Sequence, residues 1–229
     1  MDKLSYTLTR KAVKNINLRV RPDGSIAVSA PPGAPRRVID DFVKSRREWI
    51  EKAQKRTSNR PLPPWAQEVF GEGITLSILG EPYILHIVPG KKARVDFEPH
   101  AVVLHTPSPQ DTEKCRRQLK SGWEKRCLEV FALIVAAQEK KIFQKVPPYT
   151  LRVRDMKSRW GTCAMKKGVV TLSSRLLQYP ESCIAYVALH ELVHFFHPDH
   201  GPGFHHALES LWPGWRQEKK RLGMAPVNV

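Results

Sequence analysis

The chain has 229 residues, 41% of them hydrophobic, with 38 Lys/Arg against 22 Asp/Glu and a formal net charge of +16. That length allows one large domain or two small ones, and the apolar content excludes general disorder. No window approaches the roughly 20 uninterrupted apolar residues that span a bilayer, and the positive excess favours anionic partners such as nucleic acid or a nucleotide.

The opening MDKLSYTLTR is polar and has no apolar core segment, so no secretory signal is expected. Positive charge gathers toward both ends. Residues 1–60 carry a net +9, residues 61–100 a net −2 and residues 101–229 a net +9. INLRVRPDGSIAVSAP reads as a hairpin: Ile16, Leu18 and Val20 alternate with polar residues, Pro22-Asp23-Gly24 turns, and Ile26, Val28 and Ala30 resume the alternation. Apolar residues at 38, 39, 42, 43, 49, 50 and 53 then recur at helical spacing, predicting one helix over 36–56 with a charged outer face.

Residues 57–73 are Pro-rich and read as a linker. Four strands are expected over 74–79, 83–88, 93–97 and 101–105, separated by Gly80-Glu81-Pro82, Pro89-Gly90 and Glu98-Pro99. A long helix should begin near Ser108-Pro109, with Ser108 as cap, and bury Leu119, Trp123, Cys127, Phe131 and Ile134. Strands follow over 150–155, 158–163 and 169–173, then a helix from about 181 to 197. No internal repeat stands out. These elements predict an α+β chain with a β-rich N-terminal domain over 1–107 and a second domain over 108–229.

Cys115, Cys127, Cys163 and Cys183 form no C-x-x-C pair, which excludes a zinc ribbon. A chain of this length has no need of disulfides, so buried reduced thiols and a cytoplasmic location are expected.

The segment HELVHFFHPDHGPGFHH, residues 190–206, holds six of the nine histidines. His190 and His194 are four apart, which places both rings on one helix face, about one turn apart. Two neutral imidazoles so placed can meet one zinc ion. Glu191 points about 100° around the helix, where it reaches a water on the metal without ligating the metal. The helix is apolar on every side, so these three side chains are expected to be buried. Burying them costs free energy unless they are paired or metal-bound.

Zinc needs a third protein ligand. His197 lies about 10 Å along a straight axis from His190, too far to share one ion with it, and it precedes Pro198. Pro198 should end the helix, and the Pro-Asp-His-Gly turn can bring His200 back beneath the metal. His200 is therefore assigned as third ligand, with Glu209 as runner-up. His197, His205 and His206 are read as surroundings.

Two segments, SRWGTC (158–163) and HELVHFFHPDHGPGF (190–204), resemble those of the YgjP-like family of metal-dependent hydrolases, which is related to the zincin metallopeptidases. That family's pattern looks like S-R-W-G-S-C, a strand, H-E-L-x-H-L and an N-H-S-x-x-F-W turn. Ser158, Arg159, Trp160, Gly161, Thr162 and Cys163 stand in the first block; His190, Glu191, Leu192, His194, His200 and Phe204 stand in the second. The N-terminal hairpin and the helix with Trp49-Ile50 are similar too, so the resemblance covers most of the chain. It implies a minimal zincin-like α/β domain, three ligands in His190, His194 and His200, and a catalytic Glu191. Asp199, Gly201 and His205 depart from the pattern's Asn, Ser and Trp without removing a proposed ligand. The spacing also matches metzincins, but their helix-ending Gly is His197 here and no clear Met-turn follows.

The expected activity is zinc-assisted hydrolysis of a peptide or protein, one ion per chain, with Glu191 as base. Arg159 either holds an anionic or oxyanionic group or pairs with a carboxylate. Trp160 either walls the pocket or, as preferred, packs on the active helix. Two alternatives stand. Arg152, Arg154, Lys157, Arg159, Lys166 and Lys167 against Asp155 alone suit hydrolysis of a nucleotide phosphoanhydride. A nucleic-acid-binding module with structural zinc is the other, against which Glu191 argues, since a structural site needs no base.

Overall fold

Alternation in the first sixty residues builds a small sheet. The computed structural model describes residues 4–21, 23–58 and 60–224, with only the backbone for 56–58. Strands β2 (Asn17–Val20) and β3 (Ile26–Ala30) pair antiparallel with Leu18 opposite Val28, as the hairpin predicts; Pro22 lies outside the described residues. The Asp23 carboxylate closes the turn by accepting from the Ser25 backbone N–H at 2.9 Å. A strand that the polar TLTR does not announce, β1 (Thr7–Arg10), adds in parallel to the other side of β3.

The expected single helix over 36–56 is instead two, α1 (Arg36–Ser45) and α2 (Arg47–Ser58). The Ser45 hydroxyl donates to the Phe42 carbonyl at 2.8 Å, and the Arg46 N–H closes a tighter bond onto Val43 O. Such local bonding competes with the helix ladder. Ile39, Val43 and Ile50 bury against Ile26, Val28 and Ala30, a core separate from that of the remaining chain.

The chain divides into two compact units, Met1–Arg60 and Pro61–Val229. The boundary falls at 60/61 rather than the expected 107/108, and packing gives the reason. Strands β4 (Thr75–Ile78), β5 (Glu81–Pro89), β6 (Arg94–Glu98) and β7 (Ala101–Thr106) form one sheet ordered β4-β5-β7-β6. Their buried Leu76, Ile78, Leu85, Val102 and Leu104 share a core with Leu119, Trp123 and Phe131 of α3 (Thr112–Glu139). The Pro-rich stretch packs as well: Arg116 of α3 donates to the carbonyls of Trp65 and Gln67 at 2.8 and 2.9 Å. The α3 cap is Asp111, which accepts from Lys114 N at 3.0 Å, not Ser108. All five expected apolar positions of α3 are buried.

A second sheet of this unit, ordered β8-β10-β9, has β8 (Thr150–Arg154) parallel and β9 (Gly161–Ala164) antiparallel to β10 (Val169–Ser173). The strand expected over 158–163 starts only at Gly161. Helix α4 (Glu181–Val193) runs through the core with Cys183–Leu189, Leu192 and Val193 buried, followed by α5 (Pro202–Leu211) and α6 (Trp215–Arg221). Among the described residues no helix is long and apolar enough to cross a membrane.

Candidate metal centre

Helix α4 is apolar on nearly every side, so tertiary burial rather than amphipathicity sets its place. Its regular turns stop at Val193, before the expected end near 197, with His194 as C-cap. The N–H groups of Phe195, Phe196 and His197 then fold back onto Leu192 and Val193 carbonyls. Asp199 accepts from the Gly201 N–H at 2.9 Å, and Pro202 opens α5. This tight return carries His200 back over α4.

The result is a three-imidazole cluster. One ring nitrogen each from His190, His194 and His200 lies within 4.8 Å of the other two. The Nε2 atoms of His190 and His200 are 3.0 Å apart. His194 Nδ1 lies 3.0 Å from the His197 carbonyl oxygen. A carbonyl only accepts, so Nδ1 is the donor there and Nε2 is the nitrogen left to face the cluster. Burial, followed by the neighbouring His194 and His200, pushes His190 down to about 3. Burial also lowers His200. Neutral imidazoles with converging lone pairs are what a borderline-soft divalent cation requires; the donor set fits such an ion.

Phe204 forms a floor beneath the cluster. Its ring centroid is 4.8 Å from each of the three imidazole centroids, and it is 1% exposed. Letter matching alone placed Phe204 near the site; that it touches all three rings needs α5 to be docked.

Glu191, 5% exposed, stands beside the cluster. Burial pushes its carboxyl up to about 8, opposed by the charge of Arg159 and by a hydrogen bond from the Cys163 backbone N–H. β9 must pass very close for this. A Cβ on Gly161 would sit 2.6 Å from Glu191 Oε1, so glycine alone fits there. Neither Gly161 nor the Cys163 backbone was visible as a site element, because their contact with Glu191 is tertiary.

The other expected residues divide. Arg159 is exposed and forms no ion pair among the described residues, but its charge reaches Glu191. Trp160 packs edge-on against Tyr179, which precedes α4, at 5.0 Å. Glu209 is engaged elsewhere: it accepts from Trp215 Nε1 at 2.9 Å and pairs with Arg216. His205 stacks on Trp215, which stacks on Tyr186, which meets His190 edge-on.

The family model described as YgjP-like, metallopeptidase domain, matches residues 14–224. No curated protein sequence matches the chain. The metallopeptidase zymogen abylysin of Pyrococcus abyssi is 22% identical with a TM-score of 0.37, over 40% of this chain and 90% of that one. The metallopeptidase zymogen jannalysin of Methanocaldococcus jannaschii is 20% identical with a TM-score of 0.31, over 41% of this chain and 86% of that one.

Proposed function

This chain belongs to the YgjP-like metallopeptidase family, and from that premise we propose a zinc-dependent peptidase in which His190, His194 and His200 hold the ion and Glu191 is the base. One observation carries the reading: three imidazole nitrogens converge within 4.8 Å beside a buried carboxyl. Three nitrogen donors suit catalytic zinc better than the oxygen-seeking magnesium or calcium.

Zinc in such a site supplies Lewis acidity, polarising a carbonyl and acidifying a water molecule. The chain's own residues do the remaining work. Glu191 takes the proton from the water as its oxygen bonds to the peptide carbonyl carbon. It then delivers that proton to the amine nitrogen as the C–N bond breaks. The Cys163 backbone N–H holds the carboxylate in place, and the Arg159 charge favours its ionised form. Among the described residues β9 pairs only with β10, so the outer-edge backbone groups other than the Cys163 N–H, which Glu191 takes, are the ones an extended substrate would meet by strand addition. Four free cysteines support a reducing compartment, and we assign the protein to the cytoplasm.

A nucleotide phosphoanhydride is the second reading, supported by exposed Arg159 beside Glu191 and by exposed Arg152 and Arg154 on β8. The deciding experiment measures zinc in the purified chain, then offers peptides and a nucleoside triphosphate with and without chelator. Chelator-sensitive peptide cleavage supports the first reading, and chelator-sensitive nucleotide cleavage with intact peptides supports the second. Less than about 0.2 metal per chain with no metal-dependent turnover rejects both.

A further inference from the structure

Across the second unit, a groove of about 690 Å³ lies between α3 and the edge strand β6. Five cations line it, Arg94, Lys114, Arg117, Lys125 and Arg126, against a single carboxylate, Glu129. We propose that this groove binds the phosphate backbone of a nucleic-acid strand, independently of the metal centre and of the peptidase reading.

The groove is built firmly. Gln118 donates its amide to the Arg94 and His105 carbonyls, tying α3 to β6 and β7. At Gly122 the helix touches the sheet so closely that an added Cβ would meet Val95 at 2.5 Å. The walls carrying the charges are therefore fixed in spacing.

Three of the five cations already have partners: Arg94 with Asp96 at 2.7 Å, Lys114 with Asp111 at 3.3 Å and Arg126 with Glu129 at 3.5 Å. Arg117 and Lys125, both exposed, form no ion pair within 4.0 Å among the described residues, though Arg117 is near enough to Asp111 to help lower its carboxyl. Uncompensated cations beside a concavity attract anions. The length of the row selects the class of anion. Lys114, Arg117, Ser121 and Lys125 follow one helix face at spacings of three and four, spanning roughly 16 Å at 1.5 Å per residue. A lone phosphate occupies only part of that length; a chain of phosphates occupies all of it. A phosphate strand carries a full charge at every repeat along that length and offers each Arg or Lys several acceptor oxygens, which favours nucleic acid over an acidic protein segment. Phe97 lies under Arg126, at 5.7 Å from its guanidinium carbon, so it is not a free stacking platform for a base. Recognition is accordingly of backbone rather than sequence.

The test is fluorescence anisotropy with a labelled single strand of about 20 thymidines, titrated at several salt concentrations. The intact chain is expected to bind with log Kobs falling against log salt at a slope of about −3, for some four phosphates neutralised. The Arg117→Gln/Lys125→Gln variant should weaken binding at least about tenfold and flatten the slope by about 1.4. A variant losing equal charge on the first unit, Lys44→Gln/Arg46→Gln, should bind as the parent does. Zinc content should be unchanged in both variants. Absence of binding, or equal weakening by the control pair, overturns the proposal. So does poly-glutamate of matched length binding as tightly as the oligonucleotide.

Discussion

The Nε2 atoms of His190 and His200 lie 3.0 Å apart, although ten residues and a chain reversal separate them. At that separation one Nε2–H can donate to the other Nε2, a contact that a shared metal ion would replace. The turn through Pro198, Asp199 and Gly201 holds the approach in place.

His200→Ala should therefore lose zinc, while Glu209→Ala should keep it. Changing a residue behind a ligand commonly costs 10–100-fold in affinity, and removing a ligand should exceed about 100-fold. Competition with a chromophoric chelator measures both. Equal zinc affinity in His200→Ala and the parent would remove His200 from the ligand set.

Glu191→Gln separates binding from chemistry. Glutamine fills the same space but cannot carry the proton, so zinc content should stay at the parent level. Turnover should fall by about 10²–10⁴, the usual contribution of a positioned base. Full peptide turnover in this variant would reject Glu191 as the base.

Gly161→Ala probes the support of Glu191 without touching it. The added methyl would stand 2.6 Å from Oε1 and 2.7 Å from Cγ, so carboxylate or strand must shift. Overpacking of this kind costs about 1–3 kcal/mol. The expected signature is a lower kcat with zinc retained and a lower Tm. Adding Glu191→Asp, which shortens the side chain, should recover the Tm but not the kcat.

Much of the fold was legible because local pattern and tertiary outcome agree. The turn signals Gly80-Glu81-Pro82 and Glu98-Pro99 fall at the β4–β5 and β6–β7 reversals, although Glu81 and Pro82 pair within β5 and Glu98 within β6. β1 escaped because its TLTR faces are mostly exposed and its pairing with β3 is parallel and non-local. The break between α1 and α2 escaped because the apolar period continues through it, and one Ser45 hydroxyl decides it. The domain boundary was misplaced because strand pattern does not say which helix covers a sheet; Leu85 and Val102 do so only once packed with Trp123. At the candidate site, the four-residue spacing of His190 and His194 is a local helical fact. The convergence of His200 needed only a turn signal. The approach of Gly161 to Glu191 joins a strand to a helix and left no mark in either segment alone.

Phe204 should prove to be what keeps the three imidazoles aligned. Phe204→Ala opens the floor and should cost about 3–5 kcal/mol, as core aromatic deletions do. Phe204→Leu keeps most of the volume and should cost below about 1.5 kcal/mol. The leucine variant is the informative one: its Tm stays near the parent, while its zinc affinity drops because the rings are no longer held edge and face against an aromatic surface. Unchanged zinc affinity in Phe204→Leu would reduce Phe204 to ordinary core.

Cys183 offers a pH-dependent reading of the α4 surroundings away from the metal centre. Burial first, and then the hydrogen bond and charge of Glu218, push its thiol up to about 12 from an ordinary 9.0. The thiol donates to Glu218 Oε2 at 3.2 Å, and the same oxygen accepts from Ser182 at 3.0 Å. A raised thiol pKa means less thiolate at every pH below it, and only the thiolate attacks iodoacetamide. At pH 8 the native thiol should react about 1,000-fold more slowly than an ordinary one, before any protection from burial itself. Its rate should climb about tenfold per pH unit from 7 to 10 without levelling, whereas the denatured chain levels above about 9. Glu218→Gln removes the carboxylate charge and leaves burial, with Arg221 still favouring the thiolate. Alkylation of Cys183, followed by mass spectrometry, should therefore quicken in that variant yet stay well below the denatured rate. A native rate that already levels near pH 9 would mean that α4 is open to solvent at Cys183 and that the core around the metal helix is looser than the packing described here.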